Sequence, residues 1–122
     1  MKKKILIADD EQTVRSLVKR FLSHNYIVLE ANDGAVAVDM ARTQKPDLIL
    51  MDIMMPRVDG YTACHQIKKD EATRTIPVVM LTGVGHELNK RLSWEVGAEG
   101  YITKPFVLQD LVGVISPLLS AF

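Results

Sequence analysis

The sequence predicts an α/β fold: an open parallel sheet of five strands with helices covering both faces. Short apolar runs alternate five times with segments of helical periodicity. Right-handed β–α–β crossovers between such runs build a doubly wound sheet. Three of the runs are solidly apolar, as strands buried on both faces must be.

The first strand spans Lys4–Ala8, where Ile5, Leu6, Ile7 and Ala8 run together until Asp9, Asp10 and Glu11 end them. Val14, Leu17, Val18, Phe21 and Leu22 then follow the spacing of one helical face. The second strand, Ile27–Glu30, is short and mixed, as edge strands often are. Asp33-Gly34 punctuates the entry to a second helix over Gly34–Arg42. Pro46 precedes the third strand, Leu48–Met51, where no helix continues through it. Asp59-Gly60 reads as the loop and start of a third helix, Tyr61–Lys69, and Pro77 precedes the fourth strand, Val78–Leu81. Leu88, Leu92 and Val96 mark a fourth helix, and Gly97-Ala98-Glu99-Gly100 leads into the fifth strand, Gly100–Thr103. Leu111, Val112, Ile115, Leu118 and Leu119 form the last stripe, and Pro117 within it is expected to kink or shorten that helix.

The 122 residues make one domain, 1–122, of ordinary size, with no linker or low-complexity tract. Apolar residues at 48% and charged residues at 25% describe a globular chain rather than a disordered one. Fifteen basic residues balance fifteen acidic ones, so charge gives no reason to propose direct nucleic-acid or membrane binding. The single Cys64 excludes an intramolecular disulfide, suits a reducing compartment, and reads as a small buried hydrophobe. His24, His65 and His86 form no metal-ligand pattern and read as surface residues. Met51 reads as core filling, and Met54 and Met55 as partly exposed. The basic start, Met1-Lys2-Lys3-Lys4, leads into an apolar run too short for a signal peptide, and no segment approaches the ~20 apolar residues of a membrane span. A soluble, cytoplasmic protein is expected.

In an open α/β sheet, functional groups gather at the carboxyl ends of the strands. Asp9 and Asp10 follow the first strand, Asp52 the third, Thr82 the fourth and Lys104 the fifth. Singly, each has a plain reading as a helix cap, a turn residue or an exposed lysine. Together, three carboxylates, a hydroxyl and an ammonium converge on one rim. Like charges that close need a cation, and hard oxygen ligands suit Mg²⁺. Magnesium usually completes its shell with waters and phosphate oxygens, which points to phosphoryl chemistry. Lys104 supplies a second positive charge, Thr82 can donate to a phosphoryl oxygen, and Asp52 can form an aspartyl phosphate.

These residues sit in stretches that resemble a known family. "ILIADDE", "PDLILMDIMMPRVDG", "IPVVMLTG" and "GAEGYITKPF" match, in order and over nearly the whole chain, the motifs of CheY-like receiver domains of two-component response regulators. The resemblance implies a flavodoxin-like (βα)5 sheet with strand order 2-1-3-4-5. It implies Asp52 as phosphoacceptor, Asp10 as a direct Mg²⁺ ligand, Asp9 acting largely through water, and the Met54 backbone carbonyl as a further ligand, with Mn²⁺ as a substitute ion. It makes Thr82 and Lys104 the groups that engage the phosphoryl group and Tyr101 the aromatic that follows Thr82 in the switch. The Lys104–Pro105 bond is expected to be cis.

A sensor histidine kinase or phosphotransfer protein is the implied donor, docking on the first helix and the loop after the fifth strand. A downstream output protein or domain is the implied receiver of the signal, through the surface of the fourth helix, fifth strand and fifth helix. The chain is then no enzyme beyond its own Mg²⁺-dependent phosphorylation and autodephosphorylation. It is expected to be a monomer before phosphorylation and a candidate dimer after it, either standing alone or cut from a longer regulator.

After Thr82, Gly83 leaves ample access to an acyl phosphate whereas Val84 is bulkier than the residue usual in the family, and Met54 positions no attacking water, so autodephosphorylation is expected to be slow to moderate. Trp94 breaks its helix stripe, and is expected either to fold against its neighbours or to anchor a partner. Three other readings fit less well. An aspartate-nucleophile phosphatase would want a second aspartate where Met54 stands. A flavin or nucleotide binder would want a phosphate loop where Asp9-Asp10-Glu11 stands. A degenerate interaction module would have lost some of the five site residues.

Overall fold

The computed structural model describes residues 2–83 and 87–120. Five parallel strands form one sheet in the order β2-β1-β3-β4-β5. The elements alternate strictly: β1 Lys4–Ala8, α1 Gln12–Leu22, β2 Ile27–Ala31, α2 Gly34–Gln44, β3 Leu48–Asp52, α3 Gly60–Lys69, β4 Val78–Thr82, α4 Glu87–Glu95, β5 Gly100–Thr103 and α5 Leu108–Ser120. Val84 and His86 lie outside the described residues, as does the side chain of Leu88.

Alternation along each strand divides the core into two layers. Leu6, Ala8, Ile49, Met51, Val78 and Met80 face Ala37 and Ala41 of α2 and Ala63, Cys64 and Ile67 of α3. Ile5, Ile7, Leu48, Leu50, Val79 and Leu81 face Val18 and Leu22 of α1 and Leu111, Ile115 and Leu119 of α5. β1, β3 and β4 are central and almost wholly buried, whereas β2 and β5 at the edges are mixed. Cys64 is buried as expected, and burial pushes its thiol up to about 12, so it carries no thiolate at neutral pH.

Three expectations need correction. β3 and β4 each run one residue further than their apolar runs, so that Asp52 pairs with Leu81 and Thr82 with Thr103. Ladder hydrogen bonds use the backbone and are indifferent to the side chain's polarity. Second, a helix laid on a sheet buries one ridge. Val18 and Leu22, and likewise Leu111, Ile115 and Leu119, form those ridges, while Leu17 and Val112 fall on the flanks and stand exposed. Third, of the two outcomes expected of Pro117, shortening does not occur, and α5 continues to Ser120. A proline in the last turn forfeits a single helix bond, and the burial of Leu119 beyond it offsets that loss.

Both Asp-Gly pairs are helix starts in which each residue has its own duty. Asp33 accepts from Val36 N and Asp59 from Thr62 N, each at 2.9 Å, capping α2 and α3. The glycines admit close backbone approach. A Cβ on Gly34 would lie 2.0 Å from the Val58 carbonyl oxygen, and one on Gly60 would lie 2.1 Å from that of Asp52.

Candidate functional site

The sheet brings the predicted residues to one rim. Asp9 leaves β1 fully buried, its backbone N–H donating to the Ala31 carbonyl at 3.1 Å. Its Oδ1 accepts from Glu11 N at 2.9 Å, so this aspartate does local turn work as well. Its Oδ2 accepts from Lys104 Nζ at 2.9 Å. Asp52 is the last residue of β3, only 5% exposed, and its Oδ1 accepts from the same ammonium at 3.2 Å. Asp10 is exposed beside them, and one carboxylate oxygen from each of the three lies within 4.8 Å of the others.

Three carboxylates face one ammonium, and the excess charge shows in the titration. Burial, and then the charge of Asp9, push Asp52 up to about 6 from the ordinary 3.8, although Lys104 opposes them. Burial also disfavours the Lys104 ammonium, but hydrogen bonds and charge from Asp9 and Asp52 outweigh it and hold the group above its usual value.

Thr82 ends β4, buried, with its hydroxyl donating to the Ile102 carbonyl across a long 3.5 Å contact. Its own carbonyl accepts from Lys104 N at 2.6 Å, which ties the lysine's backbone to the end of β4. The Lys104–Pro105 peptide is cis, as the resemblance implied. Met54 lies in the loop beyond β3 with its side chain 76% exposed, and Gly83 has open space where a Cβ would point. Tyr101 of β5 is half-buried, and its ring meets that of half-exposed Trp94 edge-on, centroids 5.6 Å apart. Trp94 therefore folds against a neighbour and still presents surface. His24 and His65 are exposed, and among the described residues neither belongs to the acidic cluster. Sequence reasoning passed over Arg15, whose Nη1 donates to the Asp9 carbonyl at 2.6 Å; nothing in the α1 pattern marks it.

Residues 5–116 match the family described as the response regulator receiver domain. This chain belongs to that family. Among similar proteins, the phosphate regulon transcriptional regulatory protein PhoB of Pseudomonas aeruginosa is 42% identical over 118 residues, which are 96% of this chain and 52% of the relative. The alkaline phosphatase synthesis transcriptional regulatory protein PhoP of Bacillus subtilis is 38% identical over 98% of this chain and 49% of its own length. The receiver thus spans about half the length of the curated relatives it matches. Among solved structures, a response regulator of Chloroflexus aurantiacus superposes with a TM-score of 0.93 at 33% identity, over 98% of this chain and 99% of that one. The receiver domain of a sensor histidine kinase from P. aeruginosa, with a magnesium ion coordinated in its active-site cleft, gives 0.87 at 31% identity over 98% and 99%. Among the described residues, no helix is long and apolar enough to cross a membrane.

Proposed function

We propose that this receiver takes a phosphoryl group onto Asp52 in the presence of Mg²⁺ and passes the change to a downstream partner. The observation that carries the reading is the convergence of Asp9, Asp10 and Asp52, two of which, Asp9 and Asp52, share the ammonium of Lys104.

The donor set fits the ion. The three carboxylates are hard oxygen donors and carry more negative charge than Lys104 neutralises, and the Met54 backbone carbonyl is the further oxygen that the family resemblance implies. When bound, Mg²⁺, or Mn²⁺ in its place, supplies charge neutralisation for the phosphoryl oxygens. The Asp52 carboxylate attacks phosphorus. A P–O bond forms, the P–N bond of a donor phosphohistidine breaks, and the imidazole leaves with a proton from solvent. Lys104 is close enough to follow the charge from the carboxylate to a phosphoryl oxygen.

Thr82 exchanges its long contact to the Ile102 carbonyl for a shorter, charge-assisted bond to that oxygen. Tyr101 follows it, altering the α4-β5-α5 surface on which Trp94 lies. As the only tryptophan, Trp94 reports the step by its fluorescence. Catalysis beyond this self-phosphorylation and a slow-to-moderate autodephosphorylation is not expected, since Met54 offers no group to direct water.

A histidine kinase or phosphotransfer protein is the donor, and an output protein or domain the recipient. The transcriptional regulators among the relatives favour the latter lying on a longer chain. The protein is a monomer before phosphorylation. The test is incubation with Mg²⁺ and acetyl phosphate, followed by intact mass. One phosphoryl adduct is expected, absent in Asp52→Asn and in chelator. No adduct either here or with a kinase donor, on folded protein that binds Mg²⁺, leaves only an interaction module.

A further inference from the structure

Glu30 and Asp33 lie outside the acidic cluster, at the end of the edge strand β2 and just beyond it, yet each grips an arginine tied to one of two loops at the site: the β1–α1 loop that bears Asp9 and Asp10, and the β3–α3 loop that follows Asp52. On one side, Arg15 donates from Nε to Glu30 Oε1 at 3.3 Å and from Nη1 to the Asp9 carbonyl at 2.6 Å. Lys19 joins the other carboxylate oxygen of Glu30, also at 3.3 Å. The Asp9 carbonyl belongs to the peptide that links Asp9 to Asp10. The Arg15 side chain, 14% exposed, thus holds the peptide from which both carboxylates depart.

On the other side, Arg57 stands in the β3–α3 loop, three residues beyond Met54. It donates to Asp33 Oδ2 from Nη2 at 2.6 Å and from Nε at 2.9 Å. Asp33 is buried, and its other oxygen is committed to capping α2. Arg57 holds a φ of +64°, and Val58 N donates back to the Pro56 carbonyl at 2.8 Å. That is a γ-turn of the rarer hand, which a residue with a Cβ keeps only when something ties it down. The loop then lies directly on Gly34 at the start of α2.

We propose that Arg15 with Glu30, and Arg57 with Asp33, form a two-sided clamp anchored at the end of β2, and that these four are positioning residues for the cation site. The inference rests on the Mg²⁺ reading above. Its sign sets it apart from simple electrostatics. Each arginine is a positive charge near an acidic cluster, so by charge alone its removal would tighten Mg²⁺ binding. Loss of positioning loosens it, as loss of groups that orient metal ligands usually does.

The test is an NMR titration with Mg²⁺ alone, following backbone amides in wild type, Arg15→Gln, Arg57→Gln and Arg57→Lys, each checked for native amide dispersion. The clamp predicts affinity about tenfold weaker for Arg15→Gln. It predicts a smaller loss for Arg57→Gln, which is more exposed and therefore keeps the test valid should Arg15→Gln fold poorly. Arg57→Lys, which keeps a charge for Asp33, should recover most of that loss. Glutamine variants that bind Mg²⁺ as tightly as wild type, or more tightly, overturn the clamp and leave the cation reading standing. A wild-type protein with no saturable response to Mg²⁺ overturns both.

Discussion

Two lysines stand at opposite ends of the sheet, and the contrast between them separates a structural ion pair from a functional one. Lys68, near the amino ends of β4 and β5, is 13% exposed and donates to three acceptors. These are the Ile76 carbonyl at 2.6 Å, Glu99 Oε2 at 2.9 Å and the Arg74 carbonyl at 3.1 Å. Glu99 spends its other oxygen on Val78 N at 2.7 Å, so one charge meets one charge and the group is closed. Lys104 at the carboxyl end is 20% exposed and meets Asp9 and Asp52 with Asp10 beside them, one positive charge against three negative. Burial is similar, but only the second group is left with charge for a cation or a phosphoryl group to neutralise. A closed pair holds the fold, whereas an unbalanced cluster stores a binding preference at some cost to stability.

The largest effect should come from opening the closed pair. Lys68→Ala strands two carbonyls and a carboxylate, and should cost about 3 kcal/mol in chemical denaturation. Loss of well under half of that would mean that water replaces the ammonium readily and that this end is no more closed than the other.

The unbalanced end should respond with the opposite sign. The folded state holds the Asp52 proton up to a pH of about 6, while the unfolded chain releases it near 3.8. Between those values the folded state binds more protons, so its stability falls as pH rises. Above them the penalty is complete. Asp52→Asn removes a penalty of about 3 kcal/mol but gives up charge in the bond to Lys104, so in chelator at pH 7.5 the variant should be more stable than wild type by about 2 kcal/mol, with little difference near pH 4. Saturating Mg²⁺ should narrow the gap by favouring the ionised carboxylate. A variant no more stable than wild type in chelator would show that Lys104 already balances the cluster. The smallest effect belongs to Glu99→Gln, which keeps an oxygen for Val78 N and loses only a partly exposed charge. It should cost under about 1 kcal/mol by thermal unfolding.

The sequence by itself determined the element order and the end of the sheet where chemistry gathers. Apolar runs and helical spacing are written in consecutive residues, and the polar residue that ends a buried strand marks a rim position wherever that strand lies. It placed Asp9, Asp10, Asp52, Thr82 and Lys104 at that rim, and the structure joins Asp9 and Asp52 through the Lys104 ammonium with Asp10 beside them. Strand limits at Asp52 and Thr82, and the outward flanks carrying Leu17 and Val112, were decided by the ladder and by which helix ridge meets the sheet. Only the tertiary structure decided the ionic frame around the site. Arg15 reaches Glu30 across 15 positions, Arg57 reaches Asp33 across 24, and Lys68 reaches Glu99 across 31. No local period connects such partners. Long flexible side chains choose among the charges that folding brings near, and that choice exists only once the strands have paired.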